Sequence, residues 1–183
     1  MARVLVPVAD GSEEMETVIV VDVLRRAGWD VVLAGLEDGP VTASRGVRIV
    51  PDTTMDMVLL EAFDVLVVPG GGEGVENLRA DERVKELIVK MSDEGKIVAA
   101  VCAGPLVLQD AGVLEGKRVT SHPAVAEKLT LADRVDEAVV VDGNIITSQG
   151  PGTCFKFALE IIGQVDGREK ANGIANGMVV EIG

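Results

Sequence analysis

One cysteine stands in a sequence context that suits a nucleophile. Cys102 lies between small residues in the segment Ala100-Val101-Cys102-Ala103-Gly104, after an apolar run and before a helical pattern. Small residues two positions before and after a nucleophile are typical of a nucleophile elbow, a strand-to-helix turn too tight for larger side chains. The following helix would point its amides and positive dipole end at the sulfur, which favours the thiolate. A small buried core cysteine is the structural alternative, and the spacing favours the functional interpretation.

A run of glycines marks a second turn. Gly70, Gly71 and Gly72 follow Pro69 at the end of an apolar run that is predicted to be a strand. A backbone amide from Gly70 or Gly71, together with the amide of Ala103, would form an oxyanion hole. The alternative is a turn in which no side chain fits. The spacing matches neither the P-loop nor the dinucleotide-binding glycine pattern, so no nucleotide cofactor is predicted.

Two titratable side chains are candidates for proton transfer. Glu16 lies in the first turn of the predicted first helix, either as a solvated carboxylate that favours the helix dipole or as a functional group. His122 is the sole histidine, and it is either a polar loop residue or, if it lies near Cys102, a general acid or base. The second cysteine, Cys154, lacks an elbow and is interpreted as packing. Two cysteines and one histidine scattered along the chain lack zinc-ligand spacing, so no metal site is predicted.

The elements that position these residues follow from the alternation of strands and helices. Continuously apolar strands that alternate with helical stretches predict a doubly wound α/β fold, a mostly parallel sheet with helices on both faces. No linker or internal repeat is visible, so a single domain over residues 1–183 is expected. Ligands bind beyond the carboxyl ends of the strands in such sheets. The turns that carry Glu16, the glycine run, Cys102 and His122 all leave that edge.

Further elements are predicted from periodicity and turn signals. The glycine turn is predicted to continue as a loop to Gly74, and a helix with an apolar face is predicted over Asp81–Glu94. Gly143-Asn144 predicts a hairpin turn between two short strands. A last strand is predicted over Met178–Ile182.

Composition excludes several classes of protein. The chain has 183 residues and a net charge of -13, so a nucleic-acid partner is disfavoured. Aromatic residues make up 2%, too few for base-stacking platforms. Two cysteines do not make a disulfide framework, and no signal segment or membrane-spanning run is visible. We therefore expect a cytoplasmic protein with no membrane partner.

Several segments, in order over nearly the whole chain, are similar to a known family. The chain resembles the Parkinsonism-associated deglycase (DJ-one) group of the ThiJ/PfpI superfamily. The segments that carry the resemblance are Gly11-Ser12-Glu13-Glu14-Met15-Glu16-Thr17, Val21-Asp22-Val23-Leu24-Arg25-Arg26-Ala27-Gly28, Pro69-Gly70-Gly71, Ala99-Ala100-Val101-Cys102-Ala103-Gly104-Pro105 and Thr147-Ser148-Gln149-Gly150-Pro151-Gly152-Thr153.

The resemblance implies a fold, an assembly and a set of site residues. It implies a flavodoxin-like fold and a homodimer whose likeliest contact is the first helix, with Met15 and Val18 as apolar anchors. It also assigns roles to residues of this chain: the reactive cysteine is Cys102, the carboxylic acid that hydrogen-bonds its sulfur is Glu16, the amides near the reactive carbon are those of Gly71 and Ala103, the nearby histidine is His122, and Arg45 meets the active site or its dimer neighbour.

The resemblance also implies several activities. These are a cofactor-independent glyoxalase that converts methylglyoxal to lactate, deglycation of early glycation adducts, oxidation of the cysteine to sulfinate, and chaperone-like protection. Three hypotheses stay open at this point: an enzyme acting on a small carbonyl substrate, an oxidative-stress sensor or protective chaperone that uses Cys102 sulfinate, and a cysteine hydrolase or amidase with His122 as the base.

The chain departs from the human-type branch of this group at three positions. Gln149 stands where that branch carries an arginine, and Ala43 and Val50 replace two peripheral cysteines. The replacements remove secondary redox sites and leave the central cysteine in place.

Overall fold

A computed structural model gives the structure of residues 1–181. The strands in this range are β1 (Arg3–Val8), β2 (Asp30–Gly35), β3 (Val41–Thr42), β4 (Arg48–Ile49), β5 (Thr53–Thr54), β6 (Val65–Val68), β7 (Ile97–Val101), β8 (Arg118–Val119), β9 (Asp133–Arg134), β10 (Val139–Asp142) and β11 (Ile145–Ser148). The helices are α1 (Glu14–Arg26), α2 (Met55–Val58), α3 (Gly72–Ala80), α4 (Glu82–Asp93), α5 (Pro105–Asp110), α6 (Cys154–Asp166) and α7 (Arg168–Gly177), with 3-10 turns at Pro123–Lys128 and Pro151–Thr153.

A central sheet takes its strands from most of the chain. Seven strands pair in the order β10-β11-β7-β6-β1-β2-β5, and every pairing is parallel except the β10–β11 hairpin. The predicted doubly wound, mostly parallel α/β sheet is confirmed. Because β1, β6 and β7 are adjacent and parallel, the turns that follow Val8, Val68 and Val101 leave the same edge.

Helices cover both faces of the sheet because alternate strand residues point to opposite sides. In β1, Val4 and Val6 face a core formed with α1, α6 and α7, whereas Leu5 faces a second core formed with α2, α3, α4 and α5. Strands buried on both faces read as continuous apolar runs, which is the pattern that the sequence shows. Over residues 1–181, no helix has the length and apolar character needed to cross a membrane.

Two element predictions were wrong. The predicted loop through Gly74 is in fact the first turn of α3, because Val75 and Leu78 are buried on one face and their packing outweighs the low helix propensity of glycine. The predicted strand over Met178–Ile182 is absent from Met178–Glu181, where Met178 instead ends α7 with its amide bonded to the carbonyls of the last turn. Ile182 lies outside the described residues.

We expect the central strands to carry most of the stability of the fold. Leu66 in β6 is fully buried, whereas Leu60, six residues earlier, is fully exposed. Leu66→Ala removes packed methyl groups and leaves a cavity, which should lower the free energy of unfolding by about 2–5 kcal/mol. Leu60→Ala, the same chemical change, should alter it by less than about 0.5 kcal/mol. Urea unfolding of both variants measures the difference, and equal losses would contradict the core assignment.

Candidate active site

Cys102 occupies a strained turn between β7 and α5. Its φ angle is 63°, in the left-handed region that non-glycine residues rarely adopt. Two short bonds hold the turn: the Cys102 amide donates to the Ser148 carbonyl (2.9 Å), and the Gly104 amide donates to the Val101 carbonyl (2.8 Å). The partly buried thiol is thus placed at the carboxyl edge of the sheet.

Glu16 lies against the sulfur of Cys102. Its side chain is fully buried, and its carboxyl group lies against the Cys102 thiol. The amide of Gly70 donates to Oε2 at 2.7 Å. The other oxygen, Oε1, is buried and has no hydrogen-bond partner among residues 1–181. The structure therefore brings together two of the predicted site residues as a buried acid and thiol pair.

Burial controls the protonation of this pair. It raises the pKa of the Glu16 carboxyl to about 7, although the hydrogen bonds from Cys102 and Gly70 lower it. Burial also raises the pKa of the Cys102 thiol to about 12, helped by the neighbouring Glu16 carboxylate, whereas the amides of Ala103 and Gly71 lower it. Near neutral pH, Glu16 is thus the member of the pair that gains or loses a proton, and Cys102 is a thiol. An ionised Glu16 is positioned to accept the proton of the thiol.

The helix dipole stabilises a Cys102 thiolate less than the sequence analysis predicts. The helix α5 has only six residues, and it begins at Pro105, which has no amide hydrogen. The Gly104 amide is turned back to the Val101 carbonyl. Only the Ala103 amide of this turn faces the sulfur, so the expected thiolate is opposed by burial and by Glu16.

The glycine turn provides contacts that a side chain would prevent. Gly70 uses its amide to hold Glu16, and a Cβ atom there would lie 2.5 Å from Glu16 Oε2 and 2.6 Å from Cys102 Cβ. Gly71 has a φ angle of 96° and its amide faces the Cys102 sulfur. A Cβ atom on Gly71 would lie 2.1 Å from the Gly11 carbonyl oxygen. Of the two candidate amides, that of Gly71 is the one that faces the reactive atom.

His122 is tied to Cys102 through the backbone. Its amide donates to the Cys102 carbonyl at 2.9 Å, while its exposed ring accepts the Ala124 amide at Nδ1 (3.2 Å). A neutral imidazole that accepts at Nδ1 carries its proton on Nε2. Within residues 1–181 no hydrogen bond joins this ring to the sulfur. In this arrangement Nδ1 is already occupied by the Ala124 amide.

Arg45 lies on the turn between β3 and β4. Its side chain is exposed and bonds the Ser44 carbonyl at 3.2 Å, so within one chain it is not brought to the Cys102–Glu16 pair. Its backbone amide donates to Glu14 Oε1 at 2.9 Å, and the Ser44 hydroxyl donates to Glu14 Oε2 at 2.8 Å. Glu14 is buried, and the sequence analysis did not single it out. No local pattern indicates a contact made with residues thirty positions away.

Cys154 lies in the core. Its thiol donates to the Gly150 carbonyl at 3.4 Å, and burial raises its pKa well above the ordinary value. These features agree with its interpretation as a packing residue. Over residues 1–181, no three His, Cys, Asp or Glu side chains are grouped in a way that would hold a metal ion.

Comparison with known proteins gives a consistent family match. The DJ-1/PfpI family profile matches residues 2–164. The Drosophila melanogaster protein dj-1beta is 44% identical over 181 residues, covering 96% of each chain, and its crystal structure superposes with a TM-score of 0.96 over 99% of each chain at 43% identity. The Caenorhabditis elegans glutathione-independent glyoxalase DJR-1.2 is 39% identical over 175 residues, covering 94% of this chain and 92% of that protein.

Some relatives are longer than this chain. The Arabidopsis thaliana protein DJ-1 homolog B is 42% identical over 180 residues, which cover 97% of this chain but 41% of that protein. The similarity therefore spans less than half of that relative.

Gly70 should be required for the close contact between Glu16 and Cys102. In Gly70→Ala the new methyl group would overlap Glu16 Oε2 and Cys102 Cβ and would lie 3.0 Å from the Cys102 sulfur. We expect a loss of about 1–3 kcal/mol in the free energy of unfolding, and slower alkylation of Cys102 by iodoacetamide. Gly72→Ala is the matched control, because a Cβ atom there has no neighbour within 4 Å. The assignment fails if both variants behave alike.

Glu16 should make stability depend on pH. Its pKa of about 7 in the folded state lies above the ordinary 4.5, so its stabilising contribution is complete below about pH 4.5 and is lost as the pH rises through 7. The loss should be about 3 kcal/mol relative to Glu16→Gln, which does not titrate. Denaturant unfolding of both proteins from pH 4.5 to 8 measures the difference. Parallel pH profiles would show that Glu16 titrates normally.

Proposed function

This chain belongs to the DJ-1/PfpI family, and we propose that it is a cysteine-dependent glyoxalase or deglycase that needs no cofactor. Its substrates are small 2-oxoaldehydes such as methylglyoxal, or their glycation adducts. The observation that carries the proposal is the buried Glu16 carboxyl group, which is held by the Gly70 amide against the Cys102 thiol and has a pKa of about 7. A relative of this chain is a glutathione-independent glyoxalase by name, which agrees with catalysis by the protein's own thiol.

The first step of the proposed reaction forms a covalent adduct. The Glu16 carboxylate takes the proton of Cys102, and the thiolate attacks the aldehyde carbon. A carbon–sulfur bond forms, the carbonyl π bond breaks, and a hemithioacetal oxyanion results. The Gly71 and Ala103 amides, which face the sulfur, are placed to stabilise negative charge next to it.

The second step moves a proton along the bound substrate. Glu16 first gives the thiol proton to the hemithioacetal oxyanion, which regenerates its carboxylate. The carboxylate then removes the proton from the former aldehyde carbon and returns it to the neighbouring carbon, while the hydroxyl proton moves to the neighbouring oxygen, which gives a 2-hydroxy thioester without net oxidation. Water then cleaves the thioester to release lactate and the thiol. A carboxyl group with a pKa near 7 is suited to both directions of this transfer. His122 Nε2, the ring nitrogen that the Ala124 amide does not use, is a donor to the substrate oxygen in this scheme.

A homodimer is part of the proposal. On α1, Met15 and Val18 have side chains that are 53% and 52% exposed, as expected for apolar anchors of a contact with a second copy. Arg45 is exposed on the β3–β4 turn, so we propose that its contact with an active site is made across this dimer.

A redox sensor is the second candidate function. Cys102 is only partly buried whereas Cys154 is buried, and the amides of Gly71 and Ala103 face the Cys102 sulfur. Such amides would bind the oxygens of a sulfinate. The hydrolase hypothesis has less support, because it needs His122 as a base toward the sulfur, and the ring nitrogen that accepts is Nδ1, already bonded to the Ala124 amide.

Lactate formation from methylglyoxal tests the proposal. Cys102→Ser should abolish turnover, and Glu16→Gln should reduce kcat by about 100-fold or more because the proton carrier is lost. Cys154→Ser is the matched control and should retain wild-type activity. The assay uses reduced protein without added cofactor.

The contrary result separates the two candidates. No lactate from the reduced wild type, together with a gain of two oxygens on Cys102 in preference to Cys154 after mild peroxide, would favour the sensor. Turnover that persists in Cys102→Ser would reject the mechanism.

A further inference from the structure

Glu13 stands directly before α1 and holds the start of this helix with its backbone and its side chain. Its side-chain Oε2 accepts the amide of Glu16 at 2.7 Å. Its carbonyl accepts the amide of Thr17 at 3.0 Å and the Thr17 hydroxyl at 2.8 Å. Its own amide donates to the Gly70 carbonyl at 3.0 Å. Glu13 therefore connects the first turn of α1 to the glycine turn.

These contacts close a ring of hydrogen bonds around Glu16. Glu13 binds the Glu16 amide, Gly70 binds the Glu13 amide, and the Gly70 amide donates to Glu16 Oε2 at 2.7 Å. The ring holds Glu16 both at its backbone and at its carboxyl group. Supporting hydrogen bonds of this kind lock the rotamer of a functional side chain. Because the same carboxyl lies against Cys102, the ring sets the place of the acid relative to the thiol.

Glu13 also places a like charge near the Glu16 carboxyl. Burial is the main cause that raises the pKa of Glu16 to about 7, and the charge of Glu13 acts in the same direction. The other titratable groups that face this carboxyl are Cys102 from the β7–α5 turn and Cys154 from α6. Oε2 is bonded to an amide and Oε1 has no partner among residues 1–181, so no basic side chain of this range binds the Glu16 carboxyl.

We propose that Glu13 is the positioning residue for Glu16: it fixes the place of the Glu16 carboxyl group and favours its protonated form through a like charge. The inference rests on the proposed function, in which Glu16 gains and loses protons during the reaction. Glu13 acts through Glu16 and not on the reacting atoms. The bond to the Glu16 amide needs an oxygen acceptor at position 13, whereas the effect on protonation needs a negative charge, so substitutions can separate the two.

The charge effect can be measured without any turnover. Glu13→Gln keeps a side-chain oxygen that can accept the Glu16 amide and removes the charge. We expect the pKa of Glu16 to fall by about half a unit, the size of the interaction between charges near a protein surface. Carbon-13 NMR of labelled glutamate carboxyl groups measures this pKa, and the loss of one signal in Glu16→Gln assigns it.

The matched control for the charge is Asp22→Asn. Asp22 is an exposed carboxylate on the same helix, bonded to Arg26, and its loss changes the net charge equally. This variant should keep the wild-type pKa of Glu16. An unchanged pKa in Glu13→Gln, or an equal fall in both variants, would overturn the proposal.

The positioning effect is measured by kinetics on methylglyoxal. Glu13→Ala removes the acceptor as well as the charge, so kcat should fall about tenfold with little change in KM, because Glu16 is displaced from the reacting atoms. Glu13→Gln should keep kcat within about threefold, and the acidic limb of its kcat/KM profile should move to lower pH with the pKa of Glu16. Wild-type kcat in Glu13→Ala, or equal losses of kcat in both variants, would overturn the positioning role.

The two proposals fail in different ways. Absence of lactate formation in the wild type would reject the glyoxalase function, and the NMR titration would still decide whether Glu13 controls the protonation of Glu16. Lactate formation by the wild type, together with an unchanged titration in Glu13→Gln, would keep the glyoxalase function and reject the role of Glu13.

Discussion

The site depends on a carboxyl group that has been taken out of water and set against a thiol. Burying an ionisable side chain is costly unless its polar atoms find partners. The partner of Glu16 here is the Gly70 amide, which reaches it only because position 70 has no side chain. The same burial raises the pKa of Glu16 to about 7. The glycine turn, the start of α1 and the Cys102 turn are therefore parts of one constraint, since a shift in any of them would change the charge at the sulfur.

Helix geometry directs the three carboxylates at the start of α1 to three different contacts. Glu13 precedes the helix and accepts the amide of Glu16 at 2.7 Å, which caps the first turn. Glu14 points away from the site and binds the turn of Ser44 and Arg45. Glu16, two residues further, is rotated toward the sheet edge and Cys102. Successive residues of a helix are separated by about 100°, so neighbouring acidic residues enter different environments.

The fold and the location of the site were predictable, whereas its electrostatics were not. Apolar strands in alternation with helices fix a parallel sheet, and a parallel sheet brings Cys102, Gly71 and Glu16 to one edge. The protonation of Cys102 depends on burial and on where single amides point, which small local rotations decide. The burial of Glu14 depends on contacts between residues distant in sequence. The sequence analysis assigned a loop to the start of α3 because glycine has a low helix propensity. Packing of Val75 and Leu78 stabilises the helix nevertheless.

The left-handed backbone of Cys102 has an evolutionary consequence. A non-glycine residue at a φ of 63° carries conformational strain that glycine would not. Selection for stability alone would therefore replace this cysteine with glycine, because that residue fits the turn best. A cysteine at this position therefore costs stability that a glycine would spare, and the proposed use of the thiol would account for that cost. In a lineage that did not use the thiol, glycine would be the easiest replacement for Cys102. We expect this substitution to occur before changes in the rest of the fold.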